Sequence, residues 1–145
     1  MGAGAWVVHD SVIEAMAKGD IDTDTDVFKI VLCSSASNAA TTSVVALASL
    51  TNQLSTANGY TQNDKTLTVT DSQSSGTYTF DSDNPVWTAS GGSITARYAV
   101  IYDDTHASDL IIAHALLDDT PADVTATDGN TFTVTMNASG IFTVS

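Results

Sequence analysis

From Lys65 onward the chain alternates apolar and polar positions in short runs separated by turn residues. "KTLTVT" sets Leu67 and Val69 against Thr66, Thr68 and Thr70, and "GTYTF", "PVWTA", "ADVTAT", "NTFTVTM" and "IFTVS" follow in the same manner. A period of two sends successive side chains to opposite faces of an extended backbone, so each run predicts a strand. "SITARYAVIY" predicts a longer one. Ile94, Ala96, Tyr98, Val100 and Tyr102 share one face, and Thr95, Arg97, Ala99 and Ile101 the other. Val27 to Cys33 is apolar on both faces, with Phe28, Ile30 and Leu32 against Val27, Val31 and Cys33. "DLIIAHALLDD" is apolar all round and reads as a central strand or a buried helix.

A helical period shows near the N-terminus. In "DSVIEAMAKGD" Val12, Ala15 and Met16 share a face, Ser11 and Glu14 have capping-box spacing, and Gly19 is a stop signal, which predicts a helix over Ser11 to Lys18. "SVVALASLTNQL" fits a short helix from Ser43 or a strand, and periodicity does not decide. Asn58-Gly59 is the sharpest turn signal, Gly91-Gly92 predicts a turn between pairing strands, and Asn137 to Gly140 predicts another. Turn signals every 8–12 residues or so are the pattern of an all-β sandwich or barrel. The expected fold is mainly β: one domain over residues 1–145, an antiparallel, jelly-roll-like β-sandwich, with residues 1–20 as a short N-terminal arm and helix.

Composition sharpens this picture. The chain has 145 residues, enough for a core without disulfides, and its one cysteine, Cys33, reads as a small core residue. Seventeen acids face four bases, for a net charge of −13. Such a surface repels phosphate, so nucleic acid and anionic membrane are poor partners. Every acid but Glu14 is Asp, which favours turns over helices. No run of about 18 apolar residues occurs, so no helical membrane span is expected.

Candidate chemistry is sparse. "DIDTDTD" places Asp20, Asp22, Asp24 and Asp26 at alternate positions, where their oxygens suit a hard cation such as Ca²⁺; otherwise the run is a solvated acidic turn. It is not an EF-hand loop, because Thr25 and Val31 stand where that loop needs Gly and Glu. "YDDTHASD" gathers Asp103, Asp104, His106 and Asp109 at no zinc spacing and reads as a polar hairpin loop. His114, set among apolar residues, reads as a core or interface histidine, and His9 has no evident partner. The chain contains no nucleophile elbow, phosphate loop, dinucleotide turn or H-E-x-x-H, so no enzymatic activity and no cofactor are expected. Arg97, the only arginine, lies mid-strand in an acidic protein and calls for a carboxylate, within the chain or across a subunit boundary.

The segment "DNPVWTASGGSITARYAVIYDDT", together with "FKIVL", "NGY" and "NTFTVTMNASGIFTVS", resembles a family of tailed-phage virion proteins described as structural proteins. The similarity runs from about Val12 through most of the chain. The resemblance implies a virion structural protein, and it supplies no catalytic residue to carry over. With the charge, it leads us to expect a capsid decoration or cement protein on the exterior of the head, assembled in the host cytoplasm. Its expected partners are the major capsid protein and other copies of itself, a trimer being one arrangement. Arg97, Trp87, Tyr98 and Tyr102 are the expected interface residues. The alternatives are a tail, neck or fibre component, or a carbohydrate-binding host-attachment module using Trp6 and Trp87 as stacking platforms.

Overall fold

The computed structural model describes residues 2–145. The chain is mainly β, with antiparallel sheets and one short N-terminal helix. In chain order the elements are β1 (Val7–Val8), α1 (Val12–Lys18), β2 (Phe28–Cys33), β3 (Ser72–Ser74) and β4 (Thr77–Phe80). Then come β5 (Val86–Thr88), β6 (Ile94–Ala96), β7 (Tyr98–Asp103) and β8 (Leu110–Leu116), followed by β9 (Val124–Ala126), β10 (Thr131–Thr133) and β11 (Phe142–Val144). The central sheet has the order β1-β8-β7-β2, and three smaller sheets pair β10 with β5, β6 with β9, and β4 with both β11 and β3. Among the described residues none of the sheets closes on itself.

The central sheet is apolar on both faces, as the doubly apolar runs require. Phe28, Ile30, Leu32, Ala99 and Ile101 enter the main core, where the small sheets pack. Val31, Cys33, Val100, Tyr102 and Ile111 line the outer face. Residues 34–54 cross that face and place Ala39, Leu47 and Leu50 on it. This segment is neither of the two forms its sequence allowed: apart from a 3-10 turn at Leu47–Ser49 it is irregular. "DLIIAHALL" resolves as the strand β8. A bulge opposite Ile101 and Tyr102 turns both Ile112 and Ala113 into the main core.

The structure corrects four local expectations. "SITARYAVIY" is two strands, because the chain changes sheets at Arg97: β6 pairs with β9, whereas β7 pairs with β2 and β8. Ile94 and Ala96 therefore lie in the main core while Val100 and Tyr102 lie on the outer face, and the single face read from alternation does not exist. Gly91-Gly92 joins strands that do not pair with each other. "KTLTVT" forms only isolated bridges. Its start bonds to β2 through Leu67 N–H to Phe28 O (2.8 Å), and its end bonds to residues 81–83 through Thr70 N–H to Asp81 O (2.9 Å). At α1 the capping box does not form: Ser11 is already helical and its hydroxyl is buried without a partner, and Glu14 pairs with Lys18 instead. Gly19 does end the helix in the left-handed conformation.

Aromatic side chains join the small sheets to the central one. Phe28 meets Phe80 edge-on at 5.0 Å, and Phe80 stacks on Phe142 at 4.9 Å. The Asn58-Gly59 turn closes a tight loop in which Ala57 and Tyr60 exchange backbone hydrogen bonds. The turn also accepts a bond from just beyond β5, Ser90 N–H to Asn58 O (3.0 Å), and Gly59 sits so close that a Cβ there would lie 2.0 Å from the Thr88 carbonyl oxygen. Gly59 and Gly76 both have positive φ, but a Cβ at Gly76 meets nothing within 4 Å. Gly76→Ala should therefore cost about 1 kcal/mol, the backbone term alone, and Gly59→Ala more than about 3 kcal/mol. Urea midpoints of the two variants would check this, and equal costs would show that the approach to Thr88 is not tight.

Candidate functional site

The acidic run does not build a cation cage. Residues 20–26 fold into a turn whose carboxylates accept their own backbone N–H groups. Asp22 Oδ1 accepts from Asp24 (2.9 Å) and Thr25 (3.3 Å), and Asp26 Oδ2 accepts from Asp22 (2.7 Å). These bonds, Asp24 N–H first, hold the exposed Asp22 carboxyl below the ordinary range. Among the described residues no group of three or more His, Cys, Asp or Glu is placed to hold a metal ion. The expected set Asp20, Asp22, Asp24 and Asp26 therefore does not converge: local bonding turns the Asp22 and Asp26 oxygens back onto the loop.

What the fold does bring together is Asp26 and Asp103. Asp103 ends β7, is 0% exposed, and accepts N–H bonds on Oδ1 from Thr105 (2.9 Å) and His106 (3.1 Å). Its Oδ2 is buried without a donor, and its carboxyl faces that of Asp26. Burial first, and then Asp26, raise the Asp103 carboxyl to about 6, against the pull of the two N–H donors. A proton between the two carboxyls removes the repulsion and supplies the missing donor. The remaining residues of "YDDTHASD" do not join them: Asp104 pairs with Lys29 at 2.9 Å, and His106 bonds to Ser108.

The four expected interface residues divide by burial. Trp87 is a core residue: its indole N–H donates to Asp64 Oδ1 at 3.0 Å, and its ring packs on Tyr60 and Phe132. Tyr102 is buried under the 34–54 segment. Neither offers surface to a partner: Trp87 is on the buried face of β5, and Tyr102 is on the face of the central sheet that residues 34–54 cover. Trp6 is buried as well, so neither Trp is a stacking platform for a sugar. Tyr98 is half-buried at the rim of the outer face. Arg97 Nε donates to Asp123 Oδ1 at 2.8 Å, with its side chain 22% exposed, so its carboxylate lies within the chain. The pair pins the sheet change to the residue preceding β9.

All four basic side chains are engaged in this way: Lys18 with Glu14, Lys29 with Asp104, Lys65 with Asp64, and Arg97 with Asp123. Of the thirteen acids left over, Asp103 is buried and the other twelve are exposed or partly exposed. Sequence reading missed two further features. One is a buried contact between His9 and His114, whose positions are 105 residues apart, so no local pattern signals it. The other is an open apolar depression lined by Ile13, Met16, Ala17 and Val144, with Ile13 65% exposed. Ile13 off the buried face of α1 was its one legible sign.

Compared with family models, curated proteins and solved structures, the chain matches none of them.

Two outcomes follow from these contacts. Because the folded-state value of Asp103 lies above its ordinary 3.8, its protonation contributes stability that is complete below that value and is lost as pH rises through about 6. Wild type should therefore lose about 2 kcal/mol between pH ~4 and pH ~8 relative to Asp103→Asn, which stays neutral throughout. Urea unfolding of both proteins across that range measures it, and parallel curves would mean that the carboxyls do not share a proton. Arg97→Ala, removing a partly exposed pair, should cost no more than about 1 kcal/mol; a loss of about 3 kcal/mol or more would mark the pair as functionally buried.

Proposed function

We propose that this chain is a structural protein of a tailed-phage virion, a capsid decoration or cement protein that binds the outer face of the head. The observation that carries the proposal is electrostatic: thirteen acids without a counter-charge, while every Lys and Arg is already paired within the chain. A surface of this kind is repelled by packaged DNA and suits the outside of a shell. It leaves two ways to hold a partner: cations supplied by the partner, or apolar contact. The Ile13, Met16, Ala17 and Val144 depression supplies the second. The resemblance of the "PVWTASGGSITARYAVIYDDT" segment to virion structural proteins points the same way. In this reading the sheets stack as a jelly-roll-like sandwich, and copies of the chain, a trimer among them, clamp neighbouring capsomers of the major capsid protein.

Clamping is a linkage effect: contacts that form only on the intact shell must break before it opens. Particles made without the protein should assemble, because the clamp acts on a finished shell, and should release DNA at a lower temperature than complete particles. Adding back the purified protein should restore heat resistance. Ile13→Asp should fold with a stability within about 0.5 kcal/mol of wild type and yet fail to restore it. Unchanged heat resistance of the deleted particles, with defective adsorption to cells, would overturn the proposal and favour a tail or attachment role.

A further inference from the structure

The cover formed by residues 34–54 is held at two edges of the central sheet. Along β2, Leu54 N–H donates to Leu32 O (2.8 Å) and Ser34 N–H to Asn52 O (3.0 Å). At the other edge Ile111 N–H donates to Val45 O (2.9 Å), Leu47 N–H to Asp109 O (3.0 Å), and Asp10 N–H to Thr42 O (3.1 Å). That second edge also carries the histidine pair. His9 and His114 are 1% and 6% exposed, their rings meet edge-on with centroids 5.1 Å apart, and His9 Nε2 lies 3.0 Å from His114 Nδ1.

The protons on the neutral rings can be assigned. His9 Nδ1 lies 2.6 Å from the Val44 carbonyl oxygen, which only accepts, so Nδ1 carries the hydrogen. Nε2 of a neutral His9 is then a lone pair, and His114 Nδ1 must be the donor to it. The result is a directed chain from His114 on β8, through the His9 ring, to Val44 in the cover.

We propose that the His9–His114 pair is an acid-released clasp: with both rings neutral it holds the 39–47 part of the cover on the sheet, and charging the pair frees that edge and uncovers the apolar outer face. A first proton sets a charge in apolar surroundings, and once His9 is charged its repulsion opposes charging His114. With both rings charged every ring nitrogen bears a hydrogen, and the ring-to-ring bond is lost. Burial holds His9 below its ordinary value, and burial and then His9 hold His114 down to about 4. The groups facing the pair do little to relieve this. Asp10, beside His9 in the chain, favours its charged form; β7 contributes the phenol ring of Tyr98, 6.5 Å from that of His114; the cover contributes the carbonyls of Val44 and Ala39. β1 contributes Val7. Since the folded-state values lie below the ordinary 6.5, the neutral pair contributes stability that is present above 6.5 and lost as pH falls through about 4.

Cys33 is a built-in probe of this motion. It is the single cysteine, fully buried beneath the cover, with its thiol pushed up to about 12 by burial. Dithiodipyridine, which modifies thiols in acid as well as at neutral pH, measures its exposure. The rate for the folded protein, divided by that for the denatured protein at the same pH, should rise at least about tenfold between pH ~7 and pH ~4. Far-ultraviolet circular dichroism and Trp87 fluorescence should stay native over that range. The rise should be absent in His114→Phe, which keeps a ring without a titrating nitrogen. A ratio flat with pH in wild type, or a rise of the same size in His114→Phe, would overturn the clasp. Should His114→Phe fail to fold, amide hydrogen exchange of wild type decides. Loss of protection confined to Leu47 and Ile111 supports the clasp, and equal loss at Ile30 and Ile101 overturns it.

Discussion

β7 is held between β2 and β8 and is apolar on both faces, and the remainder of the molecule is organised by the need to cover it twice. A backbone so placed satisfies its hydrogen bonds in the sheet, but its side chains leave water only if something packs above and below. The two covers differ in kind. On the main-core side the small sheets interlock through aromatic contacts, Phe28 with Phe80 and Phe142, and Trp87 with Tyr60 and Phe132. On the outer side lies a single irregular segment held at its margins. Regular, cross-braced packing opens only with global unfolding, whereas an edge-tethered loop opens on its own.

The same asymmetry explains how far the sequence could be read. Alternation survives where a strand has one wet and one dry face: β4, β5 and β11 are placed by it to within a residue, and β10 starts within a residue of its run but stops at Thr133, three residues early. β1 and β3 escape it. β1 has two residues, and β3, "SQS", is exposed along its length and exists because it pairs with β4. "KTLTVT" fails for the opposite reason: its pattern is strand-like, but it passes from one partner to another before a ladder can form. The sheet change at Arg97 is invisible to periodicity, since the period continues unbroken through it.

The site residues were legible as chemistry and not as geometry. Four alternate aspartates in a row announce negative charge, but whether their oxygens converge depends on a turn that spends the carboxylates of Asp22 and Asp26 on its own backbone. Asp103 was visible in a polar loop, yet its pairing with Asp26 needs the β2–β7 register, which sets Phe28 opposite Asp103. Arg97 called for a carboxylate, and tertiary structure supplied Asp123. Across the molecule, intrachain ion pairs use up the few cations present, so the field felt at a distance is that of the acids alone.

The N-terminal arm is fixed to parts of the chain made long after it. Ala3 donates to Thr135 O, Gly4 to Leu116 O, and Val7 lies opposite His114 in β8. During synthesis the arm and α1 leave the ribosome without their docking partners, and β2 emerges with both faces bare. At about 5–20 residues per second, several seconds pass before β8 is available to bring these pieces together. Pairings this distant in sequence slow folding and leave apolar strands in need of protection meanwhile. The acidic turn between α1 and β2 sets four like charges immediately before that strand, so two chains bare at this point repel one another there.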